Sequence, residues 1–333
     1  MLYLKYMDIV VGIDSLKTPA EIKPLVDAGA EEFFCGYIPE FWSGKYGWEI
    51  APNRRPYQAY NYLSFEGLSA AVSAVHSFGK KILLAINEHE YPPERMALAV
   101  RIAKEATPLR FDGIIISNIA LALELREAGI DVPLHISIGG LANNYEAILF
   151  YNKHIPNIRR FILPRDVTVS EIRSLAEKAR TDGVALEAFG IGDPCAYSDG
   201  YCPTWHSSLN PPFCAWFLNG KRKLVDIASG SGKEAAPEVA VDFGGMDVNS
   251  DREQFLSSVV RTCGLCSVPL FKKWGVSAIK VPLRGGVARD ILISYVKQAM
   301  DLEFPEDCKK IIGSRNFCSG ARCYYNYPSE KNV

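Results

Sequence analysis

The chain has 333 residues and a mass of 36.9 kDa, more than the roughly 100 to 200 residues of a common single-core domain but within the range of α/β barrels that form one unit. Hydrophobic residues make up 48% and charged residues 23%, with mean hydropathy near zero, which excludes a disordered or fibrous chain and allows a sizeable core. A formal net charge of -1 supplies no global attraction to nucleic acid or an anionic membrane, and the local basic run Lys221-Arg222-Lys223 reads as a solvated loop.

In chain order, short β-branched apolar runs alternate with longer amphipathic stretches. The runs predict strands at Asp8 to Ile13, Glu32 to Cys35, Lys81 to Ile86, Gly113 to Ser117, Leu134 to Ser137, Arg160 to Leu163, Ala185 to Phe189 and Ala278 to Val281. Between them the spacing predicts helices over Thr18 to Ala28, Ser64 to Phe78, Pro93 to Ala106, Ile119 to Ala128, Asn144 to Lys153, Ser170 to Thr181 and Ala288 to Met300. Several open on a Ser, Thr or Asn cap and close on Gly29, Gly79, Gly129 or Gly183. Repeated βα units imply a parallel sheet with right-handed crossovers, and a count of eight favours a TIM-type (β/α)8 barrel over an open sheet. No glycine-rich phosphate fingerprint follows a strand.

Two stretches break the rhythm: residues 36 to 63, rich in Trp, Tyr and Pro, and residues 190 to 260, rich in Gly, Pro, Ser and Cys. Barrel logic places loops of this size at the C-terminal face, where active sites are built. The expected organisation is one barrel over residues 1 to 303, including a Cys-rich metal-binding insertion at 190 to 260, followed by a Cys-containing tail at 304 to 333. The N-terminal residues have no basic stretch leading into an apolar run, and no run of roughly 18 apolar residues occurs, so the expected location is the cytoplasm. In that reducing setting, nine cysteines point to metal or redox chemistry rather than to a disulfide framework.

Five of the nine lie between Cys195 and Cys266, as Cys195-x6-Cys202-x11-Cys214 and Cys263-x2-Cys266. Thiolates converging from one region suit a [4Fe-4S] cluster or tetrahedral zinc, and the spacing does not choose between them. The tail adds Cys308, Cys318 and Cys323, which, with Cys266 or Cys35, are candidates for a second metal site or for completing the first. The plain alternative is a tail with free thiols.

Around the first pair, Glu187-Ala-Phe189-Gly-Ile-Gly192-Asp-Pro-Cys195-Ala-Tyr-Ser-Asp-Gly200-Tyr-Cys202 resembles the signature of the peptidase U32 family, E-x-F-x-x-G-x-x-C-x4-G-x-C. The resemblance runs through Leu63-Ser-Phe65-Glu-Gly-Leu68, Phe111-Asp-Gly-Ile-Ile-Ile-Ser117, His135-Ile-Ser137, Glu146 to Tyr151 and Ile162-Leu-Pro-Arg165, so that it covers about residues 8 to 300. Downstream, Gly275-Val-Ser-Ala-Ile-Lys280-Val-Pro-Leu-Arg284 stands where the family has G-V-x-S-x-K-I-E-G-R. The departures, Asp193-Pro194, Pro203-Thr204-Trp205 and the lost Glu and Gly of the last motif, mark a divergent branch.

The resemblance implies a TIM-barrel-like domain with an oxygen-sensitive [4Fe-4S] cluster held by Cys195, Cys202, Cys214 and either Cys263 or Cys266, zinc being the alternative metal. It implies an anaerobic, oxygen-independent hydroxylase acting on a small aromatic or quinone precursor or an RNA base, with a prephenate-like acid as oxygen donor. The alternatives are a U32-type peptidase and a non-catalytic metal-binding subunit. The expected partner is a small-molecule substrate; a heterodimer with a second family member and binding to RNA stay open, and a membrane is not among the partners.

Polar residues predicted at the C-terminal ends of strands complete the candidate site: Asn87, Glu88, His89, Asn118, His135, Ser137, Arg165, Asp166, Glu187, Lys280 and Arg284. Of these, Arg165, Glu187, Lys280, Arg284 and His135 are the catalytic candidates. A guanidinium such as Arg165 is suited to a carboxylate, with a salt bridge to Asp166 or Glu187 as the plain reading, and His135 reads equally as a satisfied interior histidine. No H-E-x-x-H or G-x-S-x-G motif supports hydrolysis. The aromatic run Phe41, Trp42, Trp48, Tyr57, Tyr60 and Tyr62, with Arg54-Arg55, suits either a lid over a planar anionic ligand or an anchor for the loop.

Overall fold

A computed structural model describes residues 7–48, 50–55, 58–192, 199–202, 262–282, 289–312 and 323–325. The apolar runs form β1 (Asp8–Gly12), β2 (Glu32–Gly36), β3 (Lys81–Ile86), β4 (Gly113–Ile116), β5 (Leu134–Ile136), β6 (Ile158–Ile162) and β7 (Ala185–Phe189). Two short strands follow, β8 (Ile191–Gly192) and β9 (Thr262–Cys263), and then β10 (Ala278–Val281). The first seven strands and β10 close a barrel in the order β1-β10-β7-β6-β5-β4-β3-β2, every pair parallel. The expected (β/α)8 architecture is present.

Most strand residues are buried on both faces, as a parallel sheet requires when helices cover it outside and side chains fill it inside. The covering helices begin where the sequence supplies a cap. Thr18 and Thr168 form reciprocal capping boxes with Glu21 and Glu171, and Ser64, Asn118 and Asn144 each accept a hydrogen bond from a first-turn amide. The first helix, α1 (Pro19–Ala28), ends on Gly29 at φ +115°, a conformation open to glycine because it has no Cβ.

The segment between β2 and α3 (Phe65–His76) is more ordered than its composition suggests. It holds α2 (Glu40–Tyr46), whose Trp42 is fully buried and donates from Nε1 to the Ile50 carbonyl. Tyr62 is buried as well and donates to the Leu16 carbonyl. These two aromatics anchor the loop to the barrel rather than standing over it as a lid. Tyr57 lies outside the described residues.

A helix absent from the sequence reading, Val268–Trp274, packs against Arg289–Met300; Pro269 starts it and Gly275, at φ +93°, ends it. In the tail a short helix, Cys308–Ile312, packs on the same Arg289–Met300 helix. Among the described residues no helix is long and apolar enough to cross a membrane.

Candidate active site and thiol group

Side chains along a strand alternate between the two faces, so residues two apart share the barrel interior. Five charged side chains meet there. Arg160 Nη1 donates to Glu32 at 2.6 Å and to Glu187 at 3.1 Å, Lys280 Nζ donates to Glu187 at 2.7 Å, and Asp8 lies 3.8 Å from Arg160 Nη2 at the entry end. The Lys280 ammonium also sits 3.9 Å from the centroid of the Phe34 ring. Burial opposes ionisation of Glu187, but Lys280 and Arg160 outweigh it and hold the carboxyl below its ordinary range. At Glu32 burial wins over the attraction of Arg160, and its carboxyl is pushed up.

His135 joins this group. Burial, reinforced by the neighbouring Arg160 charge, lowers its pKa to about 3, so the imidazole is neutral at physiological pH. Its Nδ1 is buried with no hydrogen-bond partner among the described residues. One ligand atom each from Glu32, His135 and Glu187 lies within 4.8 Å of the others, a carboxylate–imidazole set that in isolation would suit a hard cation. Two protein cations already occupy the carboxylates, so the arrangement fits an internal ion-pair network better than a metal.

Above this network the C-terminal mouth carries a run of amide and hydroxyl groups beside a buried Arg54–Glu88 pair. Asn87 donates to Ser137 Oγ at 3.1 Å, Ser117 Oγ donates to the Asn87 carbonyl, and Asn118 donates to the His89 carbonyl. Glu88 receives Arg54 at 3.3 Å, while Arg55 donates to the carbonyls of Tyr60 and Ile13, so both arginines of the aromatic loop brace the rim from buried positions. The Arg165 guanidinium lies 4.3 Å from the centroid of the Phe189 ring, stacked at the end of β7.

The end of β7 is also where the tail docks. Tyr325 Oη accepts from the Phe189 amide at 2.8 Å and donates to the Phe189 carbonyl at 2.9 Å, and its ring meets Phe271 edge-on. Gly190 and Gly264 link β7 to β9 through a 2.7 Å backbone bond, and Ile191 pairs with Cys263. Cys263 and Cys266 are therefore fixed at the C-terminal rim, both partly buried. Cys308 and Cys323 approach them from the tail. Soft thiol donors on the rim fit an iron–sulfur cluster or zinc, where the carboxylate–imidazole set inside the barrel does not.

The predicted residues thus separate. His135, Glu187 and Lys280 share the buried interior; Asn87, Glu88, His89, Asn118 and Ser137 frame the mouth; Arg165 stands beside it on the β7 side. Cys202, partly buried, follows a short turn, Asp199–Tyr201, whose Gly200 packs against Leu141 after β5. Cys195, Cys214, Cys318 and Arg284 lie outside the described residues. Cys35 falls on the opposite face of β2 from Glu32 and Phe34, and burial pushes its thiol up to about 12. Arg160 and Glu32 escaped the sequence reading; their signal was one charge at the start of an otherwise apolar run.

A closed (β/α)8 barrel with a polar mouth and thiols at its C-terminal rim carries its candidate functional groups where barrel enzymes carry theirs. The model of peptidase family U32 matches residues 17–307, and the chain belongs to that family. It is 24% identical over 142 residues to the tRNA hydroxylation protein P of Escherichia coli (strain K12), covering 43% of this chain and 30% of that protein. It is 27% identical over 183 residues to the uncharacterized protease MJ0090 of Methanocaldococcus jannaschii, covering 54% of this chain and 40% of that one. The chain thus spans well under half the length of these curated relatives. Among solved structures it is similar to the U32 peptidase Mk0906, at a TM-score of 0.46 and 12% identity over 86% of this chain and 96% of the other.

Proposed function

We propose that the protein is an iron–sulfur-dependent, oxygen-independent hydroxylase acting on a planar ring, either an RNA base or a small aromatic precursor. The observation that carries this reading is the position of Cys263 and Cys266 on the same rim as Arg165 and the Asn87–Ser117–Ser137 set, where barrel enzymes assemble their sites. The name of the Escherichia coli relative supports hydroxylation and RNA as the substrate class.

The ligands would be Cys195, Cys202 and Cys214 with Cys263 or Cys266, and a cluster bound there would supply electron transfer. The chain's own groups bind and orient. Arg165, its guanidinium stacked on the Phe189 ring, is the group to hold a carboxylate of an oxygen-donating acid. The amide and hydroxyl groups of Asn87, Ser137 and Ser117 supply donors and acceptors for the edge of a planar ring. Lys280, held by Glu187, keeps a positive charge beneath the mouth.

The test is an anaerobic incubation of reduced protein with unmodified tRNA and, separately, with phenolic quinone precursors, each with and without prephenate, read by mass spectrometry. The reading expects one added oxygen atom in one of the two acceptor classes, dependent on the acid and lost in Arg165→Ala. Unchanged acceptors with a fully loaded cluster would overturn it.

A further inference from the structure

Four cysteines from three separate stretches of chain meet at one edge of the C-terminal rim. Cys263 forms a parallel backbone bridge with Cys323, and the Tyr324 amide donates to the Cys263 carbonyl at 3.0 Å. Cys308, fully buried at the start of its short helix, donates from Sγ to the Leu265 carbonyl at 3.2 Å. Cys308 also shares a hydrogen bond with Cys266. Tyr324 and Tyr325 flank this group, stacking toward Phe189 and Phe271.

An ordinary buried cysteine behaves as a small hydrophobe and has no reason to face other thiols. A group of thiols drawn from separate stretches of chain suits a soft cation, which binds them as thiolates and releases their protons. The tail segment around Cys323 meets the barrel through the backbone bridge to Cys263, the Tyr325 hydroxyl on Phe189 and two aromatic rings, which hold Cys323 beside the rim thiols.

We propose that Cys266, Cys308 and Cys323 ligate a thiophilic metal centre that fastens the C-terminal tail to the barrel rim, which leaves Cys263 to the set of Cys195, Cys202 and Cys214. The tail thereby becomes part of the metal chemistry of the molecule. The proposal stands apart from hydroxylation: substrate turnover can fail while the ligation holds, and the experiment below reads ligation alone.

The whole chain, purified without oxygen, is analysed for iron, sulfide and zinc, which distinguishes a cluster from a zinc ion. Its thiols are then alkylated with a maleimide before and after metal removal by a chelator, and each cysteine is mapped by peptide mass. The expected result is that Cys308 and Cys323 react at least about tenfold faster after metal removal, as thiolates released from a metal do. Cys308→Ser and Cys323→Ser should each lower metal content relative to wild type, while Cys35→Ala leaves it unchanged. Equal alkylation rates with and without metal, or a disulfide between two of the four in metal-free protein, would overturn the proposal. The alkylation arm uses the wild-type chain, so a variant that fails to fold does not decide the matter.

Discussion

Glu187 is the pivot of the barrel interior at the scale of single residues. It is fully buried, receives Lys280 on one oxygen and Arg160 on the other, and keeps both cations matched. Removing one partner of a buried pair leaves an uncompensated charge and costs roughly 3–5 kcal/mol, so Glu187→Gln is expected to destabilise the fold by about that much in chemical denaturation. A loss below about 1 kcal/mol would mean that the network is solvated and not structural. His135 supplies a second residue-scale expectation. Its pKa of about 3 in the folded state lies below the roughly 6.5 of an unfolded histidine, so between these values the unfolded chain binds the extra proton. The corresponding stability is intact above about pH 6.5 and is lost as the pH falls toward 3. In a His135→Gln variant the slope of stability against pH in this window should be shallower by up to one proton, and an unchanged slope would contradict the buried, neutral state. The residues of this network were only partly legible in the sequence. Glu187, Lys280 and His135 stood out within motifs, whereas Arg160 and Glu32 did not, because one charge at a strand's edge looks like a solvated end until the opposite strand is known.

At the scale of elements, capping chemistry made the helices readable. Thr18 with Glu21 and Thr168 with Glu171 are local signals that need no tertiary context, and the helices they open start within one residue of expectation. The Val268–Trp274 helix was not legible: it is two turns long and is stabilised by packing on Arg289–Met300 rather than by its own pattern. The aromatic loop allowed two readings that composition could not separate, since a large ring serves equally to bind a ligand or to fill a gap. Full burial of Trp42 decides for the anchor, and Trp42→Ala should cost roughly 3–5 kcal/mol, measured by denaturation. A near-neutral effect would restore the lid. The tail's docking is tested through Tyr325→Phe, which removes a hydroxyl that both accepts from and donates to Phe189. An unmatched buried polar group costs about 1–3 kcal/mol, and the variant's tail should be cut sooner in limited proteolysis. A tail cut at the wild-type rate would show that this hydroxyl does not hold it.

For the whole molecule, the eightfold alternation of strands and helices foretold a barrel, but its closure lay beyond local pattern. The seam joins β1 to β10 in register from Asp8 opposite Ala278 to Val11 opposite Val281, a contact between distant parts of the chain. The thiol group has the same character. Cys263-x2-Cys266 is visible as a motif, while its meeting with Cys308 and Cys323 depends on the tail returning to the rim after the last barrel helix. Fold and chemistry are linked at that point. The barrel supplies a rigid mouth with Arg165 and a polar rim, and the loops and tail bring thiols to its edge. The measurement that tests the account most directly is the metal and sulfide content of protein purified without oxygen, recorded with its visible absorption before and after exposure to air. The account predicts roughly four irons and four sulfides per chain for each cluster, with a broad visible band that air bleaches. A colourless protein with neither iron nor sulfide would contradict the reading of this barrel as an iron–sulfur enzyme.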